Sequence, residues 1–111
     1  MTIVRLMVSM TVTDVESAVA WYTKVFGTEP DAHPMDGLFE WHLDGHFGVQ
    51  VWQDADREGR SGMTVDESDL DGRLASLAAA GIKNNGIQDA TSSRILPIED
   101  PDGNQIVFTG T

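Results

Sequence analysis

The sequence predicts an α+β domain made of two similar halves, each consisting of a strand, a helix and three further strands. Apolar residues at helical spacing follow an alternating, strand-like stretch twice along the chain. Asp14-Val15 and Asp69-Leu70 begin the two helices, 55 residues apart, and Gly27 and Gly81 end them, 54 residues apart, so the same signals recur at nearly the same interval. Neither half could readily bury its apolar faces alone, which predicts a single domain over residues 1–111 with half-modules of about 1–55 and 60–111.

The first half opens with a strand and an amphipathic helix. Residues 3–12 alternate, with one apolar face formed by Val4, Leu6, Val8, Met10 and Val12. The spacing Thr13-x-x-Glu16 predicts a capping box at the start of the helix, and Gly27 suits a left-handed stop.

Asp44-Gly45 lies between two alternating runs and predicts a hairpin with a two-residue loop. Such a loop would place two sets of residues on opposite faces. One set is Phe39, Trp41, Leu43, His46, Gly48, Gln50 and Trp52, and the other is Leu38, Glu40, His42, Phe47, Val49 and Val51. The second set makes the cleaner helix-packing face. The tryptophans and Gln50 are therefore expected on the far side of the sheet.

The second half follows a polar connection over residues 53–62. We expect a strand near Met63–Asp66, a helix begun by Ser68 or Asp69, and strands near Ile82–Ile87 and Arg94–Ile98. The turn Asp100–Gly103 then leads into a final alternating strand.

Composition limits the classes of partner and location. Eighteen acidic and seven basic residues give a net charge of −11, which argues against binding to nucleic acid or anionic membranes and permits a cationic ligand. The chain has no cysteine, so disulfides and zinc–thiolate sites are excluded. No run is long enough for a membrane helix, and the opening lacks the features of a signal peptide, so the cytoplasm is the expected location.

Three segments in this order resemble the glyoxalase / bleomycin-resistance / extradiol-dioxygenase superfamily, the vicinal oxygen chelate proteins. They are VTDVESAVAWYTKVFG (12–27), DLDGRLASLAAAG (69–81) and EDPDGNQIVF (99–108). The resemblance covers essentially the whole chain and implies two βαβββ modules whose curved mixed sheet encloses a cavity, with the helices outside. Family chains of this length commonly form dimers, so the resemblance also implies a homodimer.

The resemblance further implies where a metal would bind. The positions that hold metal ligands in metal-dependent members are occupied here by Met7, Gln50, Gly62 and Val107. A hard divalent cation needs several oxygen or imidazole donors, and only Gln50 could supply one. We therefore expect no metal, no other cofactor and no metal-dependent catalysis.

The candidate site is a cavity that binds a small, aromatic or cationic molecule. Its expected ligand-binding residues are Met7, Ser9, Phe39, Trp41, Gln50, Trp52, Asp66, Leu96 and Val107. Two alternatives stay open. In one, displaced ligands such as Glu40, His42 or Asp66 hold a metal for a lyase, isomerase or dioxygenase reaction. In the other, side chains fill the cavity and the protein has a structural or partner-binding role.

Overall fold

The computed structural model describes residues 3–110. The elements are β1 (Leu6–Val12), α1 (Val15–Phe26), β2 (Ala32–Met35), β3 (Leu38–Trp41), β4 (Phe47–Gln53), β5 (Gly62–Asp66), α2 (Leu70–Ala79), β6 (Gln88–Asp89), β7 (Arg94–Glu99) and β8 (Gln105–Gly110). Each half is a strand, a helix and three strands, as the sequence predicts. The prediction of a strand near Ile82–Ile87 is wrong, because the structure has no strand there and only the two-residue β6 directly after it.

The strands form two four-stranded mixed sheets with the same internal order. The first sheet runs β1-β4-β3-β2 and the second runs β5-β8-β7-β6. In each, the first strand of the half pairs in parallel with the last, and the remaining pairs are antiparallel. The two halves are therefore both βαβββ modules. Neither α1 nor α2, the helices within residues 3–110, has the length and apolar character that crossing a bilayer requires.

The helix ends follow from short polar residues and glycine. Asp14 caps α1, since its carboxylate accepts the backbone N–H of Glu16. The predicted cap at Thr13 is therefore wrong, and the Thr13 hydroxyl instead donates to Asp102 Oδ1 at 2.7 Å. The helix stops at Gly27, whose φ of 74° is the left-handed conformation expected there. Of the two residues that the sequence offers as the start of α2, Ser68 and Asp69, it is Asp69 that caps the helix, by accepting the backbone N–H of Gly72.

The β3–β4 hairpin has a longer loop than predicted. The register pairs Trp41 with Val49 and Glu40 with Gln50, whereas a two-residue loop at Asp44-Gly45 would pair Trp41 with Gly48, so the pairing is shifted by one residue. A two-residue type I′ turn would need positive φ at both Asp44 and Gly45, and neither residue has it. Instead, the Asp44 carboxylate oxygen Oδ1 accepts a hydrogen bond from the backbone N–H of His46. A one-residue slip turns every side chain of one strand to the other face.

Trp41 consequently packs beneath α1 rather than facing away from it. It is fully buried, and its ring centroid lies 6.0 Å from that of Tyr22 and 5.5 Å from that of Phe26. Its indole Nε1–H donates to the carbonyl of Thr28 at 2.9 Å. Phe39, two residues earlier on β3, lies on the same helix side and packs against the core.

A buried polar cluster joins the two halves at the Asp100–Asn104 turn. The Tyr22 hydroxyl on α1 donates to Asp100 Oδ2 at 2.8 Å, and Asn104 Nδ2 donates to both Asp100 Oδ2 and the Thr11 carbonyl at 2.7 Å. Burial, together with the neighbouring Asp100 carboxylate, raises the pKa of Tyr22 far above its ordinary range. Around this cluster, apolar residues of both halves form one contiguous core.

Candidate functional site on the open face

The face of each sheet that turns away from its helix, here called the open face, carries the candidate site. Along β1, Met10 is buried in the core beneath the helices while Ser9 is exposed. Along β8, Ile106 is buried while Gln105 is exposed and Val107 is half-buried. Alternation along these strands therefore separates a side packed beneath the helices from an opposite side. The opposite side is covered at its Thr11 end, where the Thr11 hydroxyl donates to the Arg57 carbonyl and Thr11 is buried.

On the first sheet, the strand register arranges the open face into three cross-strand rows. From one end of β1 to the other, the rows are Met7 and Gly48; Ser9, Gln50 and Glu40; and Thr11, Trp52 and Leu38. The middle row is polar. The third row offers the half-buried indole of Trp52 as a flat apolar wall beside it.

Two side-chain hydrogen bonds order the polar groups of this face. Gln50 Nε2 donates to Ser9 Oγ at 2.7 Å. Glu40 Oε1 lies 3.0 Å from His42 Nε2, and the backbone N–H of His42 is held by Asp31 Oδ2 at 2.7 Å. The face therefore presents amide, hydroxyl, carboxylate and imidazole groups in fixed positions.

The positions that hold metal ligands in metal-dependent relatives do not fit a metal here. All four lie on the open faces: Met7 beside Gly48, Gln50 beside Ser9, Gly62 beside Gln105 and Val107 beside Thr64. A thioether, an amide, a hydrogen atom and an alkyl group do not make the oxygen or imidazole set that a hard cation requires.

A displaced metal site is not assembled either. Glu40 and His42 belong to the first sheet, whereas Asp66 lies on the second and accepts a hydrogen bond from the Thr109 hydroxyl. Within residues 3–110, no group of three or more His, Asp or Glu side chains is arranged to hold a metal ion.

Three of the expected ligand-binding residues are not on the open face. Phe39 and Trp41 lie on the helix side because of the hairpin register. Leu96 is fully buried, and it pairs with the equally buried Phe108 on the helix side of the second sheet. These three placements correct the sequence-based expectation, since a buried side chain beneath a helix is core rather than cavity wall.

The other six expected residues do lie on the open face, in two groups. Met7, Ser9, Gln50 and Trp52 belong to the first sheet, and Asp66 and Val107 to the second. Glu40 and Leu38 also lie on the open face, whereas the sequence predicts them on the helix side and offers Glu40 only as a displaced metal ligand. The sequence does contain a signal for this placement. Phe47, Val49 and Val51 form one apolar face of β4, and only a register that adds Phe39 and Trp41 to that face makes it consistently apolar. The same register puts Leu38 and Glu40 on the opposite face.

A groove of about 1130 Å³ opens beside the second sheet. Its walls include the open-face residues Pro97, Gln105 and Val107, and it continues to Trp21 and Lys24 on α1. This groove is separate from the rows of the first sheet, because none of their side chains lines it.

Comparison with solved structures identifies the fold. The chain superposes on a glyoxalase / bleomycin resistance protein from Catenulispora acidiphila DSM 44928 with a TM-score of 0.90 and 26% identity, covering 97% of this chain and 98% of the other. It also resembles TnmS3, an antibiotic binding protein from Streptomyces sp. CB03234 (TM-score 0.78, 21% identity, 96% and 93% covered). Lactoylglutathione lyase from Agrobacterium tumefaciens is similar as well (TM-score 0.77, 19% identity, 95% and 91% covered).

No protein-family model and no curated protein matches the chain in sequence. The structural likeness nevertheless covers nearly the whole length of both superposed chains. Within this chain, the two modules have the same strand order as each other. The chain belongs to the glyoxalase / bleomycin-resistance / extradiol-dioxygenase superfamily, the vicinal oxygen chelate proteins.

Proposed function

We propose that this protein binds a small organic molecule on the open face of its first sheet, without a metal and without transforming it. The supporting observation is that the Trp52 indole and the hydrogen-bonded Ser9–Gln50 pair lie on one face of the sheet. The residues at the family's metal-ligand positions do not supply the oxygen or imidazole donors that a metal needs. Binding sites for small molecules typically pair apolar, aromatic walls with a few placed polar groups. TnmS3, described as an antibiotic binding protein, shares the fold, so the fold is compatible with this role.

Intrinsic fluorescence tests the proposal, because the three tryptophans occupy different environments. A panel of neutral and charged aromatic compounds is titrated against the unaltered protein and against Trp52→Phe. We expect a saturable change in emission that Trp52→Phe removes or greatly reduces. Trp21→Phe is the matched control, since Trp21 lies on α1 and should leave the response intact.

Two results would contradict the proposal. One is the absence of any saturable response across the panel. The other is a response that survives Trp52→Phe and disappears in Trp21→Phe, which would move the binding to the groove beside α1. Turnover of a bound compound in the presence of Mg²⁺, Mn²⁺ or Fe²⁺ would instead favour the metal-dependent alternative.

We also propose that the protein forms a homodimer, through the apolar end of the first sheet. Leu6 and Phe47 are cross-strand neighbours and are 68% and 51% exposed, and Val4 continues the patch. A contiguous apolar surface on a highly charged chain favours burial against another protein surface. Sedimentation of Leu6→Glu should show a monomer where the unaltered chain sediments as a dimer, and a monomeric unaltered chain would contradict this.

A further inference from the structure

Glu40 is a largely buried carboxylate that contacts the ring of a histidine. Its side chain is only 13% exposed, and its Oε1 lies 3.0 Å from the His42 Nε2. The contact uses Oε1, and no hydrogen bond to Oε2 is present within residues 3–110. A carboxylate removed from water is stabilised by opposite charge or by several hydrogen-bond donors, and a single imidazole supplies little of either.

The neighbouring groups of the middle row add acceptors rather than positive charge. Glu40 is directly opposite Gln50, whose Nε2 donates to Ser9 and whose Oε1 therefore remains an acceptor for a ligand. An ammonium or amidinium group carries several N–H donors and a positive charge, which suits an adjacent carboxylate and amide oxygen. The net charge of −11 would also favour the approach of a cation.

An aromatic wall lies at a defined distance from this acceptor pair. Trp52 is the next open-face residue along β4 after Gln50, so it is the diagonal neighbour of Glu40. Diagonal neighbours on one face of an antiparallel pair are about 7–8 Å apart. A ring stacked on the indole could thus carry a cationic group, on a short alkyl linker, to the Glu40 carboxylate.

We propose that Glu40, oriented by His42, is the anionic subsite of this face, and that the ligand is an aromatic compound bearing an ammonium or amidinium group. This inference rests on the proposed binding function of the first sheet. It adds the charge of the ligand and the residue that selects that charge.

Three probes of matched shape test the proposal by calorimetry: naphthylethylamine, which is cationic at neutral pH, naphthylethanol, which is neutral, and naphthylacetate, which is anionic. We expect the unaltered protein to bind the amine about ten-fold more tightly than the alcohol and the acetate most weakly. Glu40→Gln keeps the size of the side chain and removes its charge, so the amine and the alcohol should then bind within about two-fold of each other.

Glu16→Gln is the matched control, because it removes the same charge from the exposed start of α1 and should preserve the preference for the amine. Equal binding of amine and alcohol by the unaltered protein would overturn the inference and leave the proposed function standing. So would a preference for the amine that Glu40→Gln does not change. Failure of all three probes to bind, with the folded protein confirmed by circular dichroism, would count against both.

Discussion

At the scale of single residues, the two tryptophans of the first hairpin have different surroundings. Trp41 is enclosed by α1 and bonded to the Thr28 carbonyl, whereas Trp52 lies half-buried on the open face. Residue type alone could not distinguish them, since both are aromatic residues of alternating strands. Their environments differ because the register places them on opposite faces of one sheet.

This difference predicts unequal effects of the same substitution on stability. Trp41→Phe should lower the free energy of unfolding by about 1–3 kcal/mol, because it leaves a void and an unpaired carbonyl. Trp52→Phe should lower it by less than about 1 kcal/mol, since the ring is partly in solvent. Urea denaturation of the two variants measures both values. A larger cost for Trp52→Phe would contradict the β3–β4 register, which buries Trp41 and leaves Trp52 on the open face.

Tyr22 is the one tyrosine of the chain, and we expect its burial to make the protein lose stability at alkaline pH. Its pKa is raised in the folded state by burial and by Asp100, so above the ordinary value of about 10 only the unfolded chain loses the phenolic proton. Stability from this group is complete below pH of about 10 and should fall by about 1.4 kcal/mol for each further pH unit.

Denaturation of the unaltered protein and of Tyr22→Phe between neutral pH and strongly alkaline pH separates this contribution from the titration of lysines. The variant should start less stable, because Asp100 loses a hydrogen bond, and should lose stability less steeply as the pH rises. Parallel curves for the two proteins would show that Tyr22 titrates normally when folded.

At the scale of elements, alternation of apolar residues predicted most strands and helical spacing predicted both helices, because their apolar faces are continuous. The strand expected at Ile82–Ile87 failed for a local reason. The Asn84 side chain bonds the Ile82 carbonyl and the Gly86 N–H, and Gly86 has a φ of 79°. Side chains that bond nearby backbone compete with strand pairing, and apolar residues at both ends of the segment concealed that competition.

The hairpin predicts that two of its glycines differ in their tolerance of alanine. A Cβ at Gly48 would collide with the carbonyl oxygen of Trp41 and crowd the Met7 sulfur, whereas a Cβ at Gly45 would meet nothing within 4 Å. Gly48→Ala should therefore cost about 1–3 kcal/mol, and Gly45→Ala less than about 0.5 kcal/mol. Thermal unfolding compares the two, and equal midpoints would contradict the tight packing of β4 against β3.

At the scale of the whole molecule, the Asp100–Asn104 turn connects the modules, so the motif that indicated the family also has a structural role. Asn104 is fully buried, donates to the Thr11 carbonyl of β1 and accepts the N–H of Ser61, the residue before β5. The family resemblance predicted both modules. It could not predict which side chains fill the open face, because these depend on a register that one loop residue changes.

Asn104→Ala should therefore destabilise the whole domain. It leaves the Thr11 carbonyl, the Ser61 N–H and part of Asp100 without partners, which should cost about 2–4 kcal/mol. Asn85→Ala, at an exposed position, is the matched control and should cost less than about 0.5 kcal/mol. Denaturant titration followed by tryptophan emission and by circular dichroism measures this loss. A variant as stable as the control would show that the turn does not join the modules.

The open face of the first sheet is where we propose that an organic molecule binds. Indole N–H resonances in a proton–nitrogen correlation spectrum test it most directly, since each of the three tryptophans gives one signal. During titration with naphthylethylamine, we predict a saturable shift of the Trp52 signal while the Trp41 signal, held by Thr28 beneath α1, stays in place. A Trp52 signal that does not move while another indole signal does, or no movement of any signal, would contradict the account.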